Sequence, residues 1–165
     1  MIGPLRENVG VTIDTNRVGP FLESKIDSVR AALVARMDWW SARLQQIVVN
    51  DKLQGQLLKH RTGKLGDSVR ALPTEVSGDF IHGGAVAGGG PVDYARPLEY
   101  GSQAHDIVPV NARALRFVID GKVIFAQRVH HPGTRAFAYM RGTLDENASA
   151  YVSDMQEAAN EGAGS

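Results

Sequence analysis

Five histidines are the first residues to examine for chemistry, because an imidazole ligates transition metals or moves protons near neutral pH. His130 and His131 are adjacent, and neighbours on an extended strand point to opposite faces, so they are poorly placed to chelate one ion. His60, His82 and His105 have no ligand-like spacing, and no His-Glu-x-x-His pair is present. Nucleophilic catalysis has no better basis. There is no cysteine and no Gly-x-Ser-x-Gly elbow, and Ser68 and Ser102 lie near glycines without a signalled base. Asp93 and Glu99 form a candidate carboxylate pair, but such acids also offset helix dipoles in turns and first turns. The glycines from Gly83 to Gly90 suggest a phosphate cradle, yet they lack the Gly-Lys-Ser/Thr ending of a P-loop. A mobile surface loop is the expectation there. No catalytic residue, metal or cofactor is assigned.

The elements that position these residues follow from periodicity. Val9, Val11 and Ile13 alternate with polar or small residues, which predicts a half-buried strand. Pro20 suits a helix start. From there Leu22, Ile26, Val29, Leu33, Met37, Trp40, Leu44 and Ile47 recur every three or four residues, one apolar stripe of a helix. The spacing predicts one continuous helix from about Phe21 to Val49 with the whole stripe buried, ~42 Å long at 1.5 Å per residue. A shorter helical piece is expected from Leu53 to His60, and Thr62 is a candidate N-cap for a weak turn after it. Strands are expected at Val69–Val76 and Phe80–Val86, with a brief helix or turn over Val92–Tyr100 that Gly101 ends. Leu115, Phe117 and Ile119 belong to one strand of a hairpin, and Val123, Phe125, Gln127 and Val129 to its partner. Asp120-Gly121 makes the two-residue turn between them. A closing helix carries Met140, Leu144, Tyr151 and Met155, and residues 161–165 read as a disordered tail. The fold class is α+β: one domain over residues 1–160, with a long N-terminal and a C-terminal helix on a mostly antiparallel sheet.

Composition limits the functions further. The 165 residues are close to one ordinary domain, long enough for a real core. Lys plus Arg and Asp plus Glu number 18 each, a balance that argues against a dedicated nucleic-acid binder. No run is long enough to cross a membrane, and Met1-Ile-Gly-Pro-Leu-Arg-Glu does not resemble a signal peptide. Charge is uneven along the chain. Lys52, Lys59, Arg61, Lys64 and Arg70 cluster before the strands, whereas Asp145, Glu146, Asp154, Glu157 and Glu161 follow the last Arg. Complementary segments of this kind suit contacts between subunits. Trp40 fits the helical stripe, so Trp39, about 100° away, faces solvent or another chain.

Three segments, in order, resemble the tail-component family of long-tailed bacteriophages, whose members include neck proteins and relatives of lambda's minor tail protein Z. The first contains Thr62, Gly63, Leu65 and Ser68, similar to Thr-Gly-x-Leu-x-x-Ser after a long helix. The second, with Tyr94, Ala95, Glu99, Tyr100 and Gly101, is similar to Tyr-Ala-x-x-x-Glu-aromatic-Gly-Ser/Thr. The third, His131, Pro132, Gly133 and Thr134, is similar to the turn that leads into the last helix, although Ala138 stands where family members often carry Pro.

The resemblance implies a non-enzymatic virion component, a tail-completion or neck protein made in the host cytoplasm. It implies a ring, of six copies by phage tail symmetry, at the head-proximal end of the tail, where head and tail join. Its neighbours would be head-closure or neck proteins and tail-tube or terminator proteins, with DNA passing nearby in the lumen and no membrane. A tail terminator capping the tube is the alternative within that class; a small hydrolase or DNA-binding domain is the remote one. Trp39 and Tyr100 are the aromatic anchors expected between subunits. The basic residues from Lys52 to Arg70 and the acidic C-terminal helix are the complementary charged surfaces. The Gly83–Gly90 loop and Ser102–Arg113 are expected to order only beside a neighbour.

Overall fold

The protein is described by a computed structural model covering residues 15–54 and 63–164. The strand expected at Val9–Ile13, most of the piece expected at Leu53–His60, and Lys59, Arg61 and Thr62 lie outside the described residues.

The α+β class holds. A long helix α1 (Thr15–Ile47) packs along α4 (Arg141–Gly164) and against the antiparallel pair β1 (Arg70–Ser77) and β2 (Phe80–Val86). Short helices α2 (Lys64–Asp67) and α3 (Ala95–Tyr100) lie between these elements in the chain. The strands do not join into one sheet. β3 (His105–Ile107) pairs with β6 (Val129–His131), and β4 (Leu115–Ile119) with β5 (Lys122–Ala126), so among the described residues three separate antiparallel ladders replace the expected single sheet.

Helix α1 begins six residues before the expected start, which leaves Pro20 inside it. Only the first four N–H groups of a helix lack partners, so Pro20 forfeits one bond where it sits. The far end passes into a π-helical turn, Val48–Lys52, closed by Leu53 N–H donating to the Val48 carbonyl at 3.1 Å. A wider turn shifts the helical phase, and both Val48 and Leu53 are buried in the core beyond it.

The apolar stripe of α1 is covered only in part. Met37, Trp40 and Ile47 are buried and Val29, Leu33 and Leu44 half-buried, but Leu22 and Ile26 are 53% and 56% exposed. The expectation of a stripe buried from end to end fails at its first two positions. The cause lies in α4, which runs antiparallel to α1: Glu146 meets Lys52, Asp154 meets Arg36, and Gly162 meets Val29. The described contacts of α4 reach Val29 and Ser28 through Gly162, and Leu22 and Ile26 lie on the turns of α1 before them.

Residues 161–164 are therefore helix rather than disordered tail. Gly162 is buried where a Cβ would lie 2.6 Å from Val29 Cα, so glycine permits the close approach of the two helices. Glu161 also contacts Arg36, at 3.4 Å.

The β1–β2 register shifts between Leu72 and Glu75, around Pro73, which has no N–H to give to a ladder. Thr74 N–H turns instead to Asp38 on α1, at 3.2 Å. Gly83 and Gly84 belong to β2 and not to a loop. A Cβ on Gly83 would lie 2.5 Å from Met37 Cγ, so the strand crosses α1 at the distance only glycine allows.

Candidate functional site

The three motif segments meet around one core. Val48, Leu53, Val69 and Tyr139 form its buried centre, with Leu65, Leu98 and Met140 packed around them. Each segment is tied in by hydrogen bonds that its own residues make. In the first, Gly63 takes φ 73° ahead of α2, a region open to glycine. Ser68 Oγ donates to the Leu65 carbonyl at 2.7 Å and accepts from Gly88 N–H at 3.0 Å, so it joins the turn to the end of the β1–β2 unit. Ser68 thus serves as a turn residue.

The second and third segments are bound to each other. Ser102 and Thr134 exchange both backbone hydrogen bonds, at 2.9 and 3.0 Å, and Phe137 N–H donates to the Leu98 carbonyl at 2.8 Å. A Cβ on Gly133 would fall 2.5 Å from the Ser102 carbonyl, and one on Gly101 would fall 2.8 Å from the Thr134 carbonyl. Two backbones touch here, and each supplies a glycine at the contact.

Glu99 completes the lock. The residue is only 5% exposed, and its carboxylate accepts from Met140 N–H at 2.8 Å, Arg141 N–H at 2.9 Å and Arg141 Nε–H at 3.2 Å. The last helix begins at Arg141, so a carboxylate from α3 satisfies donors at its start and complements its dipole. The candidate pair with Asp93 gives way to this capping role. Tyr139, buried beside Glu99 and Tyr94, has its phenol held neutral, its pKa raised to about 12 chiefly by burial. Its hydroxyl donates to the Ala95 carbonyl at 3.3 Å. Ala95 is buried, while Tyr94 is exposed and Tyr100 is 60% exposed with the Arg141 guanidinium 4.9 Å over its ring. Ala138 has φ 51°, a conformation closed to proline, so the chain enters α4 by a path different from the one a proline would set.

His105 and His131 are opposed on β3 and β6 with rings stacked 5.0 Å apart, while His130 pairs with Asp106 at 2.9 Å. Adjacent His130 and His131 thus part company, as an extended strand requires. Pro132 and Gly133 follow, and Gly133 N–H donates to His131 Nδ1 at 3.1 Å. Among the described residues no group of three or more His, Asp or Glu side chains is arranged to hold a metal ion. Within Ser102–Arg113, His105–Ile107 forms β3, paired with β6 of the same chain.

The charged surfaces expected to face a neighbour are partly used within the chain. Lys52 meets Glu146 at 2.6 Å, and Asp154 accepts from both Arg36 and the Trp40 indole N–H, the latter at 2.8 Å. Lys64, Arg70, Asp145 and Glu157 remain exposed, and Trp39 is exposed edge-on to Trp40 at 5.2 Å. Arg36, Asp38 and Gln45 escaped the sequence reading. All three flank the apolar stripe of α1, and Gln45 clamps the start of β1 through Val69 and Ala71, at 2.9 and 3.3 Å. Polar residues bordering an apolar stripe were the available signal.

A cavity of about 480 Å³ between α1, β2 and α4 is lined mainly by apolar groups, including Met37, Trp40, Leu44 and Tyr151. Large apolar side chains are also left exposed elsewhere, among them Phe21, Leu22, Ile26, Val76 and Phe80, and Val118, Val123 and Phe125 on the β4–β5 hairpin. No helix among the described residues is long and apolar enough to cross a membrane. Comparison with protein-family models, with curated proteins and with solved structures gave no match to this chain.

Proposed function

We propose that this chain is a structural component of a long-tailed bacteriophage, a tail-completion or neck protein that forms a ring at the head-proximal end of the tail. The observation that carries the reading is the division of the molecule between locked scaffold and uncovered apolar surface. The residues of the family-like motifs hold the core together, through the Glu99 cap, the Gly101 and Gly133 backbone contacts and the Ser68 bridge. Large apolar groups meanwhile stand in water on α1, β1–β2 and β4–β5. Exposed apolar patches of this kind mark interaction surfaces. A protein built in this way works by binding its neighbours, with free energy from interfaces rather than from a reaction.

The test is a phage lacking this chain. Its lysate is expected to contain filled heads and finished tails that do not join, or joined particles without infectivity, and supplying the chain in trans restores plaques. Tails of uncontrolled length would favour the terminator role instead. A particle reconstruction that places the chain off the head–tail axis, or as single copies, overturns the proposal.

A further inference from the structure

The cavity between α1, β2 and α4 holds about 480 Å³, within the roughly 300–1,000 Å³ of small-molecule sites. Met37, Trp40, Ser41, Val48 and Thr143 of its lining are buried, so it reaches the interior of the molecule. Arg141 and Leu144 are exposed and lie toward its opening. Met37 and Met140 both line it, and a flexible thioether adapts to the shape of what it packs on.

Two hydroxyls enter this apolar space with a hydrogen bond left to give. Ser41 is only 1% exposed; its Oγ accepts from Gly84 N–H at 2.8 Å, and its own O–H has no acceptor among the described residues. A serine hydroxyl on a helix commonly turns back to the carbonyl four residues earlier. Ser28 does so, donating to Ser24 at 3.0 Å, whereas Ser41 Oγ is turned to β2 instead. Tyr151 O–H reaches the Met37 sulfur at 3.9 Å, and a thioether is a weak acceptor. These groups share one end of the cavity. A Cβ on Gly83 would stand 2.8 Å from Ser41 Oγ and 2.9 Å from Met37 Sδ, so both atoms gather where glycine leaves room. A buried donor without an acceptor has lost its water and gained nothing, so an oxygen brought to it is bound favourably.

The lining offers an anion little. Arg141 Nε–H is already taken by Glu99 at 3.2 Å, and its guanidinium lies 4.9 Å over the Tyr100 ring. Thr143 Oγ1 is spent on the Tyr139 carbonyl at 2.7 Å. An ionised group carried into an apolar site without an opposite charge is costly. We infer that this cavity binds a small, neutral, largely apolar molecule bearing one acceptor oxygen, a ketone in chemical class, with the oxygen at the Ser41/Tyr151 end and the hydrocarbon against Trp40 and Leu44. Every residue of the site belongs to one chain, so binding is measured without assembly.

Three probes with the same number of carbons test it: benzylacetone carries a ketone, butylbenzene no oxygen and phenylbutyrate a carboxylate. Calorimetric titration of the full chain is expected to show saturable binding of benzylacetone, about threefold or more tighter than butylbenzene, the size of one hydrogen bond. Phenylbutyrate should bind at least about tenfold more weakly than the ketone. Tyr151→Phe keeps the ring and deletes one donor, and Ser41→Ala deletes the other. At least one of them should reduce benzylacetone to the affinity of butylbenzene and leave butylbenzene unchanged. The chain has two tryptophans, so Trp39→Phe leaves Trp40 alone in the cavity wall, and its emission should change with the same saturation. Circular dichroism shows whether each variant is folded; if Ser41→Ala is not, the ketone preference of Tyr151→Phe decides. No saturable binding, equal affinity for ketone and hydrocarbon, or preference for the carboxylate overturns the assignment. So does ketone binding that leaves Trp40 emission unchanged or that keeps its full preference when the donors are removed.

Discussion

The two halves of α1 carry the same apolar periodicity and meet different fates. From Val29 to Ile47 the stripe lies against α4 and β2, and polar neighbours pin it there: Arg36 and Trp40 to Asp154, Ser41 Oγ to Gly84 N–H at 2.8 Å, and Gln45 to β1. From Val18 to Ile26 the same pattern faces water. Periodicity shows which side of a helix is apolar; the length and direction of the neighbouring element decide how much of that side is covered. An amphipathic helix longer than its partner leaves a surface available for binding.

The contrast can be broken most directly at Trp40, which is only 5% exposed and packs edge-on to Tyr151 at 5.7 Å. Trp40→Ala should lower the stability of the isolated chain by about 3–5 kcal/mol, read from the denaturant midpoint. A loss below about 1 kcal/mol would contradict the buried half, given that even modest core truncations cost more.

Gly162 tests the α1–α4 approach through two opposing effects. Alanine gains about 1 kcal/mol of helix propensity over glycine. Its Cβ, however, would lie 2.6 Å from Val29 Cα, on backbone that cannot easily yield. Overpacking of this kind costs about 1–3 kcal/mol, so Gly162→Ala should be net destabilising, or neutral at best. A clear rise in melting temperature would mean that the helices are farther apart.

Tyr139 gives a pH signature of the motif core. Its pKa rises from 10.0 to about 12 on folding, so the fold favours the neutral phenol. That contribution is complete below the unfolded value and is lost as pH climbs from 10.0 towards 12. Tyr139→Phe should cost about 0.5–1.5 kcal/mol at neutral pH through the lost hydrogen bond. The variant should also lose stability less steeply than the parent across that alkaline window, as followed by circular dichroism. Equal slopes would place the Tyr139 ring in water.

Ile26 should show the smallest effect. At 56% exposure, Ile26→Ala is expected to change the stability of the isolated chain by less than about 0.5 kcal/mol. A loss of 2 kcal/mol or more, the size of a core truncation, would show that this half of α1 is covered after all.

Local rules made much of the fold legible in the sequence. The 3.6-residue stripe identified α1, the strands expected at Val69–Val76 and Phe80–Val86 fall on β1 and β2, and Asp120-Gly121 placed the hairpin turn. Each depends on residues close together in the chain. The sequence also separated His130 from His131, because strand geometry does that without tertiary help.

Tertiary structure decided the rest. Glu99 reads as one acid of a turn until α4 is set against α3, when it becomes the cap of a helix whose first residue lies 42 positions away. Gly162 looked like tail composition, and Gly83 like loop composition. Each is instead the point where another backbone or helix comes too close for a side chain. The charged segments suited a neighbour equally well until the antiparallel course of α4 brought Lys52 to Glu146. In every case the deciding quantity is a distance between residues far apart in the chain. Periodicity and propensity carry no information about that distance, because they describe one element at a time.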